Sequence, residues 1–280
     1  MVRRLDRVGA EIAVQEVSSP AAPVERCQHD GLAWYRFPQV LEDVEHALLT
    51  RLGGVSTGPL AALNLGSTVG DDPAAVAENH RRVLALFEAP SDTVVTPHQV
   101  HGCRVACVAA ADGGRVIPET DALITAAPGV TLLMRFADCA PVLFFDPAQG
   151  AIGLAHAGWR GVAAGIIPET VRAMTTAFGT RPSDLWVGLG PAIGPRHYAV
   201  GPEVLRAIAA ATPPHTAFAI EREGQTFLDL PAAITAQLHA AGVLTVVPSQ
   251  LDTAARTDEW YSHRAEGGRT GRFGVLMRLR

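Results

Sequence analysis

The run VTLLMRFADCAPVLFFDPAQGAIGLAHAGW, residues 130–159, is the stretch that decides the fold. Three apolar segments follow one another in it, at Val130–Phe136, Val142–Phe145 and Ile152–Ala155, and each is typical of a β-strand. Short turns separate the segments, and no helical pattern intervenes. Because a doubly wound α/β fold would alternate strands with helices, this run predicts an α+β fold with a mixed sheet.

Similar patterns continue on both sides of this run. Further strand-like segments lie at Thr93–Val95, Arg104–Ala109, Leu185–Leu189, Val243–Val247 and Phe273–Leu279. Helical periodicity occurs at Pro73–Phe87, after Trp159, at Pro202–Ala211 and at Pro231–Ala241. No GxGxxG motif follows a strand, so a Rossmann site is unsupported. Residues 1–30 read as a variable N-terminal arm, because Ser18-Ser19-Pro20 breaks regular structure there.

The composition excludes several classes of protein. With 48% hydrophobic and 18% charged residues the chain is globular, not disordered. A net charge of -5 without a basic patch argues against a nucleic-acid partner. No apolar run approaches the ~20 residues of a membrane span, and the first residues lack the apolar segment of a signal peptide. We therefore expect a cytoplasmic protein with no membrane partner.

All 23 basic residues are arginines, and the chain has no lysine. This excludes Schiff-base chemistry, attachment of pyridoxal phosphate, P-loop NTPases and protein kinases, which all need a lysine. Genome composition explains most of the arginine bias. Because lysine is absent, any bound phosphate must be held by arginine side chains and backbone N–H groups.

Three short segments carry candidate metal ligands at strand ends, next to glycine or proline: PHQVHG (97–102), FADCAP (136–141) and GLAHAGWRG (153–161). A thiolate with imidazoles suits zinc, and a set of three protein ligands leaves a fourth position open, as in catalytic zinc sites. In the first segment His98 and His101 would point to opposite faces of an extended strand. One of the two is therefore the expected ligand, and the spacing leaves both open.

Simpler interpretations stand beside the metal hypothesis. A histidine in a glycine-bounded turn is usually a polar loop residue, and a cysteine in an apolar run is usually a small buried hydrophobe. We assign Cys103 and Cys107 to packing and regard Cys27 as incidental. The turn that carries Arg160 resembles an anion site at a helix N-terminus, although an ordinary strand–helix turn explains it as well.

These motifs resemble a known family, the bacterial YfiH-like proteins, long labelled polyphenol oxidases or laccase-domain proteins. The resemblance runs from about Leu49 to Arg278, most of the chain. The shared motifs are TRLGGVS (50–56), NLG (64–66), VGDDP (69–73), EN (78–79), QVH (99–101), TDA (120–122), ADC (137–139), HAGWRG (156–161), GPAIG (190–194), Tyr198, SHR (262–264) and TGR (270–272).

The resemblance implies a fold, a cofactor and an activity. The fold is a single catalytic domain over residues 31–280, with packed mixed β-sheets and helices on the outside. One Zn²⁺ is held by His101, Cys139 and His156, which selects His101 over His98. The activity is that of a purine nucleoside phosphorylase, which cleaves adenosine, inosine and 5′-methylthioadenosine with phosphate as co-substrate and also deaminates adenosine.

Arginines of the motifs are the predicted phosphate ligands. An oxocarbenium-like state forms while phosphate is held near the ribose, and arginine is suited to hold it. We expect Arg51 and Arg160 to serve first, followed by Arg264 and Arg272. Asn64 either contacts the substrate or caps a turn.

Cys139, His156 and Asp138 form the predicted catalytic group. Asp138 would shuttle protons or orient a metal ligand, although a neighbour on an extended strand points the other way. Tyr198 and Trp260 are candidates to stack on a purine, and core packing is an equal alternative for both.

The sequence departs from the family pattern at a few positions. Arg196-His197 and Asp252 stand where cysteines are common, and Ala265 and His80 stand where arginines are usual. The zinc set is unchanged. None of the ten histidines forms the His-x-His pair that multicopper oxidases use.

Two other functions remain open. The first is a hydrolase in which Cys139 is the nucleophile and His156 its partner, acting on an amide or a peptidoglycan precursor. The second is a zinc-stabilised scaffold for a protein partner.

Overall fold

The computed structural model describes residues 23–280 and, by backbone alone, two strands that precede them. The strands are β1 (Val2–Leu5), β2 (Glu11–Gln15), β3 (Glu25–His29), β4 (Leu32–Arg36), β5 (Val44–Leu49), β6 (Val94–Pro97), β7 (Val105–Cys107), β8 (Val116–Ile117), β9 (Ala122–Thr125), β10 (Thr131–Phe136), β11 (Ala140–Asp146), β12 (Ala151–Ala157), β13 (Trp186–Leu189), β14 (Ala219–Arg222), β15 (Gln225–Leu228), β16 (Thr245–Pro248) and β17 (Phe273–Leu279). The helices are α1 (Pro73–Leu86), α2 (Trp159–Ala163), α3 (Ile166–Phe178), α4 (Pro202–Ala211) and α5 (Leu230–Ala240). None of these helices is both long and apolar enough to cross a membrane.

Two mixed sheets form the body of the molecule. The first has nine strands in the order β1-β2-β3-β4-β5-β17-β10-β6-β8, and the second has six in the order β16-β13-β11-β12-β9-β7. Most neighbours are antiparallel, while β6 with β8 and β10, β7 with β9, and β13 with β16 are parallel. Strands β14 and β15 form a small hairpin. The prediction of an α+β fold with mixed sheets is confirmed.

The central strands are buried on both faces because the sheets pack on each other and on helices. In β11, Leu143 and Phe145 join a core cluster shared by the two sheets. The alternate residues Val142 and Phe144 pack in a second cluster with side chains of α3, α4 and α5. A third cluster lies between the nine-stranded sheet and α1. Helices therefore cover the outer faces, as predicted. Residues 140–145 of β11 are all apolar because both faces of this strand are buried.

Some strands were not predicted. Besides β1 and β2, the missed ones are β3, β4, β5, β8, β9 and the β14–β15 hairpin. Strand β9 is only four residues long, and β5 (VEHALL) contains two polar residues, so neither makes a long apolar run. Within the predicted arm, β1, β2 and β3 extend the nine-stranded sheet. The domain boundary after residue 30 stays a prediction, and Ser18-Ser19-Pro20 lies outside the described residues.

The cysteines outside the metal motifs are placed differently from one another. Cys27 is fully buried in the cluster beside α1, so it is a core residue and not incidental. Cys103 packs against the second cluster, as expected. The packing assignment of Cys107 is wrong, since its side chain is exposed at the end of the edge strand β7.

His46 in β5 makes the stability of the fold sensitive to pH. Its Nε2 accepts the N–H of Phe37 at 2.8 Å, so the neutral ring is needed. Burial lowers the pKa of His46 to about 4, well below the ~6.5 of an unfolded chain. The unfolded state therefore binds the proton first, and the free energy of unfolding falls as the pH drops from about 6.5 towards 4. The full loss is about 3 kcal/mol.

Urea unfolding at pH 7.0 and pH 4.5 measures this effect, with His46→Gln as the comparison because glutamine offers an acceptor that does not titrate. We expect the wild type to lose about 2 to 3 kcal/mol more than the variant between the two pH values. Equal losses in both proteins would contradict the assignment.

Candidate metal centre

Three connections between strands bring the predicted metal ligands together. His101 lies in the loop after β6, Cys139 in the turn from β10 to β11, and His156 near the end of β12. Strands β11 and β12 are paired with Pro141 opposite His156, which places the Cys139 turn beside the end of β12. One ligand atom from each of the three side chains lies within 4.8 Å of the other two.

This group fits a single zinc ion. A thiolate and two imidazoles are donors that zinc prefers, with bonds of about 2.3 Å to sulfur and about 2.0 Å to nitrogen. The rings of His101 and His156 meet edge to face with centroids 4.8 Å apart, so they approach a common point from different directions. His156 is buried and His101 is exposed. An ion held here would keep its fourth position open towards solvent, as catalytic zinc sites do.

Asp121, immediately before β9, organises the centre from behind. Its carboxylate accepts the backbone N–H groups of Val100, His101 and Gly102 at 3.1, 2.9 and 2.8 Å. The same carboxylate lies 2.9 Å from Nδ1 of His156, which leaves Nε2 of that ring for the metal. The buried carboxylate of Asp121 thus fixes the backbone of the loop that carries His101 and orients the ring of His156. Asp121 belongs to the shared TDA motif, but its spacing in the sequence does not indicate this role.

The electrostatics of the centre favour the thiolate of Cys139. Burial acts to raise the pKa of this thiol, but the charge of His156 and hydrogen bonds from both histidines outweigh it and lower the pKa to about 6. Burial likewise acts to lower the pKa of His156, while the Cys139 thiolate and Asp121 raise it. The site therefore holds a thiolate, the form that binds metal, already near neutral pH.

Gly158, after β12, allows the ligands to approach one another. A Cβ atom at this position would lie 2.7 Å from Sγ of Cys139 and 3.3 Å from Cδ2 of His101. We expect Gly158→Ala to displace the thiol and to lower zinc affinity at least about tenfold, measured by competition with a chromogenic chelator.

Gly102→Ala is the matched control for this substitution, because its Cβ would meet Asp121 and Val100 at an ordinary 3.6 Å. Wild-type zinc affinity in Gly158→Ala, or an equal loss in both variants, would contradict the steric argument.

Asp138 has partners other than the metal ligands. Its Oδ1 accepts the hydroxyl of Thr253 at 2.7 Å, and its Oδ2 accepts the N–H of Arg264 at 2.7 Å. Its backbone has a φ of 83°, which is unusual outside glycine, and its carbonyl accepts the N–H of Ile193. The orienting bond to a ligand comes from Asp121, so Asp138 holds the neighbouring loops instead. Its role in proton transfer stays a prediction.

Three of the predicted phosphate ligands have guanidinium groups that can donate further hydrogen bonds. Arg160 is exposed and stacks on the ring of Trp159 at 4.5 Å. Arg264 lies 5.0 Å above the ring of Tyr198 and donates one hydrogen bond, to the carbonyl of Ala199.

Arg272 is half-buried, and its NH1 group donates to the carbonyls of Thr270 and Gly271. Burial lowers the pKa of Arg272, and the charges of Cys139 and Asp138 oppose this. Arg272 also precedes Phe273, which pairs with Phe136, three residues before Cys139.

The other two predicted substrate residues are occupied by the protein itself. Arg51 is only 13% exposed and donates to two backbone carbonyls and to the carboxylate of Glu266. Asn64 is fully buried, accepts the N–H groups of Gly66 and Arg272, and donates to Asp71. Direct substrate contact by either residue stays a prediction.

The two aromatic candidates differ in exposure. Trp260 is fully buried between Tyr35 and Phe273, so core packing is the correct alternative for it. Tyr198 is half-buried and remains available beside Arg264.

Two of the departures from the family pattern contact each other. Nδ1 of His197 lies 2.7 Å from the carboxylate of Asp252, which also accepts the N–H of Gly194 at 3.0 Å. His80 lies 3.1 Å from the carbonyl of Leu65, and Ala265 is exposed.

Known proteins resemble the chain along most of its length. The family model described as "Multi-copper polyphenol oxidoreductase laccase" matches residues 45–280. A protein of Deinococcus radiodurans named "Purine nucleoside phosphorylase" is 42% identical over 250 residues, which cover 89% of this chain and 94% of that protein. "Purine nucleoside phosphorylase YlmD" of Geobacillus stearothermophilus is 39% identical over 81% of this chain and 86% of its own.

Solved structures share the fold. The crystal structure of YlmD from Geobacillus stearothermophilus superposes with a TM-score of 0.86 at 37% identity, covering 90% of this chain and 97% of that one. The hypothetical protein YfiH of Bacillus licheniformis gives a TM-score of 0.85 at 29% identity, covering 90% and 98%.

Proposed function

The chain belongs to the laccase-like, YfiH-type family whose model matches residues 45–280, and we propose that it is a purine nucleoside phosphorylase. Relatives named for this activity support the proposal. The observation that carries it is that two arginine positions adjoin the turn that holds Cys139. Asp138 accepts the N–H of Arg264, and Phe136 pairs with Phe273, the residue that follows Arg272. A site for an anionic co-substrate then adjoins a three-ligand metal centre.

In phosphorolysis a phosphate oxygen bonds to the anomeric carbon of the ribose. The bond from that carbon to the purine nitrogen breaks, and the purine leaves with a proton. Arg160, Arg264 and Arg272 would bind the phosphate oxygens and place one of them against the carbon as positive charge develops on the ribose. Because the chain has no lysine, guanidinium groups and backbone N–H groups must carry this work.

The metal ligands fit a zinc ion, which when bound would supply a Lewis acid that polarises the substrate. His101, Cys139 and His156 would hold it, and Asp121 would fix the ring of His156. We further propose adenosine, inosine and 5′-methylthioadenosine as substrates, and deamination of adenosine as a side activity. The residues do not favour copper oxidase chemistry, since no His-x-His pair is present among the ten histidines.

A screen with zinc-loaded protein tests the proposal. Adenosine, inosine, guanosine and 5′-methylthioadenosine are each incubated with and without phosphate, and free base is measured by chromatography. We expect base release that depends on phosphate for adenosine, inosine and 5′-methylthioadenosine. Absence of release from every nucleoside would reject the activity.

Removal of a phosphate ligand should act on one substrate only. We expect Arg264→Ala to raise the KM for phosphate about 10- to 100-fold, because hydrogen bonds to charged groups contribute about 1.5–3 kcal/mol. The KM for inosine should change less than about threefold, because Arg264 would contact the phosphate and not the nucleoside. Steady-state kinetics with each substrate varied in turn measures both constants.

Arg222→Ala, in the exposed β14–β15 hairpin, is the control for the lost charge. A phosphate KM in Arg264→Ala that equals the control value would remove Arg264 from the phosphate site.

The second candidate function is a cysteine hydrolase. Asp121 contacts His156, and His156 is hydrogen-bonded to Cys139, which is the arrangement of a catalytic triad. The pKa of the Cys139 thiol is lowered to about 6. Covalent labelling of Cys139 by an activated amide in metal-free protein, followed by turnover, would support it. Stoichiometric zinc in the purified protein, with labelling blocked by the metal, would oppose it.

A further inference from the structure

The segment from Ser262 to Arg272 carries both Arg264 and Arg272, and we name it the arginine loop. It contains little regular structure, and its exposed tip includes Gly267 and Gly268 with φ of 62° and 81°. Because glycines allow many backbone conformations, the arginines need other contacts to fix them. Those contacts lie inside the loop and at its two ends.

Glu266 closes the arginine loop from within. Its Oε2 accepts the N–H of Ser262 at 2.9 Å and the hydroxyl of Thr270 at 2.5 Å. Ser262 precedes Arg264 by two residues, and Thr270 precedes Arg272 by two. A single carboxylate oxygen therefore ties together the two halves of the loop that carry the arginines.

The other oxygen of Glu266 ties the loop to the body of the molecule. Oε1 accepts a hydrogen bond from NH1 of Arg51 at 2.9 Å. Arg51 in turn donates to the carbonyls of Ala61 and Thr257 at 2.8 Å, and its guanidinium lies 4.3 Å above the ring of Tyr261. Arg51 is thus fixed by contacts on several sides. Its bond to Glu266 therefore restricts the position of the Glu266 carboxylate.

Two backbone N–H groups, one near each end of the loop, also bond to residues of the site. Arg264 donates its N–H to Asp138, one residue before Cys139, and Arg272 donates its N–H to the buried Asn64 at 2.8 Å. These bonds hold the backbone at two points. The side chain of Glu266, which is 21% exposed, bonds to both halves of the loop, in addition to backbone bonds such as that from Gly268 to His263.

We propose that Glu266 is a positioning residue, which through its bonds to Arg51, Ser262 and Thr270 holds Arg264 and Arg272 in register for an oxyanion co-substrate. This inference rests on the proposed function, with inorganic phosphate as the oxyanion. Arg51 then serves phosphate binding through Glu266 and not by direct contact. The loss of Glu266 leaves the N–H of Ser262 and the hydroxyl of Thr270 without their acceptor and frees Arg51 of its counter-charge.

Glu266→Gln tests the proposal in zinc-loaded protein, because it removes the charge while the volume stays the same. We expect the KM for phosphate to rise about tenfold, with kcat, the KM for inosine and the zinc content within about twofold of wild type. Thr270→Val removes one of the three bonds, and its phosphate KM should rise about threefold. Glu223→Gln, in the exposed β14–β15 hairpin, is the matched control and should equal wild type.

Hydrogen exchange followed by mass spectrometry supplies a readout that does not need catalysis. Amides of residues 262–272 should exchange faster in Glu266→Gln than in wild type, while β10, β11 and β12 exchange at equal rates. This separates a loosened loop from a destabilised protein.

The possible results distinguish failure of the proposed activity from failure of the role proposed for Glu266. Wild-type protein that releases no base with phosphate contradicts the proposed function. An active wild type with an unchanged phosphate KM in Glu266→Gln, or unchanged exchange in residues 262–272, overturns the role of Glu266. A fall in kcat and in zinc content that accompanies the rise in phosphate KM would also overturn it, because such a combination indicates a general structural role.

Discussion

Replacing Cys139 with serine is expected to remove bound zinc and to lower kcat/KM for inosine about 1000-fold or more, because the Lewis acid contributes several kcal/mol to the barrier. An alcohol does not ionise near neutral pH, whereas the thiol of Cys139 has a pKa of about 6 in its two-histidine environment. The serine side chain is nearly the same size, so the fold should be unaffected. Metal analysis by mass spectrometry and assay of hypoxanthine release measure the two losses.

Cys103→Ser is the control for this substitution, since Cys103 packs beside the second core cluster and is not one of the three clustered ligands. It should retain wild-type zinc and activity. Full activity of Cys139→Ser without zinc would reject the metal-centred mechanism.

Replacing Asp121 with asparagine should have the next largest effect. We expect zinc affinity to fall about 10- to 100-fold, as is usual when the partner of a ligating histidine is lost. An amide has one acceptor oxygen, so it cannot accept all three N–H groups of residues 100–102 and also the Nδ1–H of His156. His101, which has a left-handed φ of 61°, would then lose the contacts that hold it there.

Asp146→Asn is the matched buried control, because Asp146 is also fully buried but accepts N–H groups of the turn after β11. Zinc affinity should be unchanged in it when measured by chelator competition. A wild-type affinity in Asp121→Asn would show that the carboxylate does not organise the centre.

The sequence predicted the strand-rich centre of the fold well, because the central residues of β10, β11 and β12 are apolar whichever face they lie on. Each of the three segments in residues 130–159 falls within a residue or two of an observed strand. The pairing of β17 between β5 and β10 was harder to predict, since it joins residues more than 130 positions apart in the chain.

The candidate site was predictable in its residue types and less so in its geometry. Strand geometry leaves His98 and His101 equally possible, because residues 98–102 are not a strand but a loop wrapped around Asp121. The role of Asp121 arises from tertiary contacts with Val100, Gly102 and His156, which no local pattern encodes.

Charge alone could not separate ligands from supports among the arginines. Arg51 and Arg264 both lie in shared motifs, but Arg51 meets Glu266, 215 residues further along the chain. Arg264 keeps an exposed guanidinium beside Tyr198. The different roles that we propose for them follow from burial and from partners that become neighbours only in the folded chain.

Phosphorus NMR of zinc-loaded protein with inosine and phosphate decides whether this chain carries out phosphorolysis. The result we expect is ribose 1-phosphate formed in equal amount to hypoxanthine, with both products absent from Cys139→Ser and from samples without phosphate. Hypoxanthine with free ribose, formed at the same rate without phosphate, would contradict the proposal, as would no reaction at all.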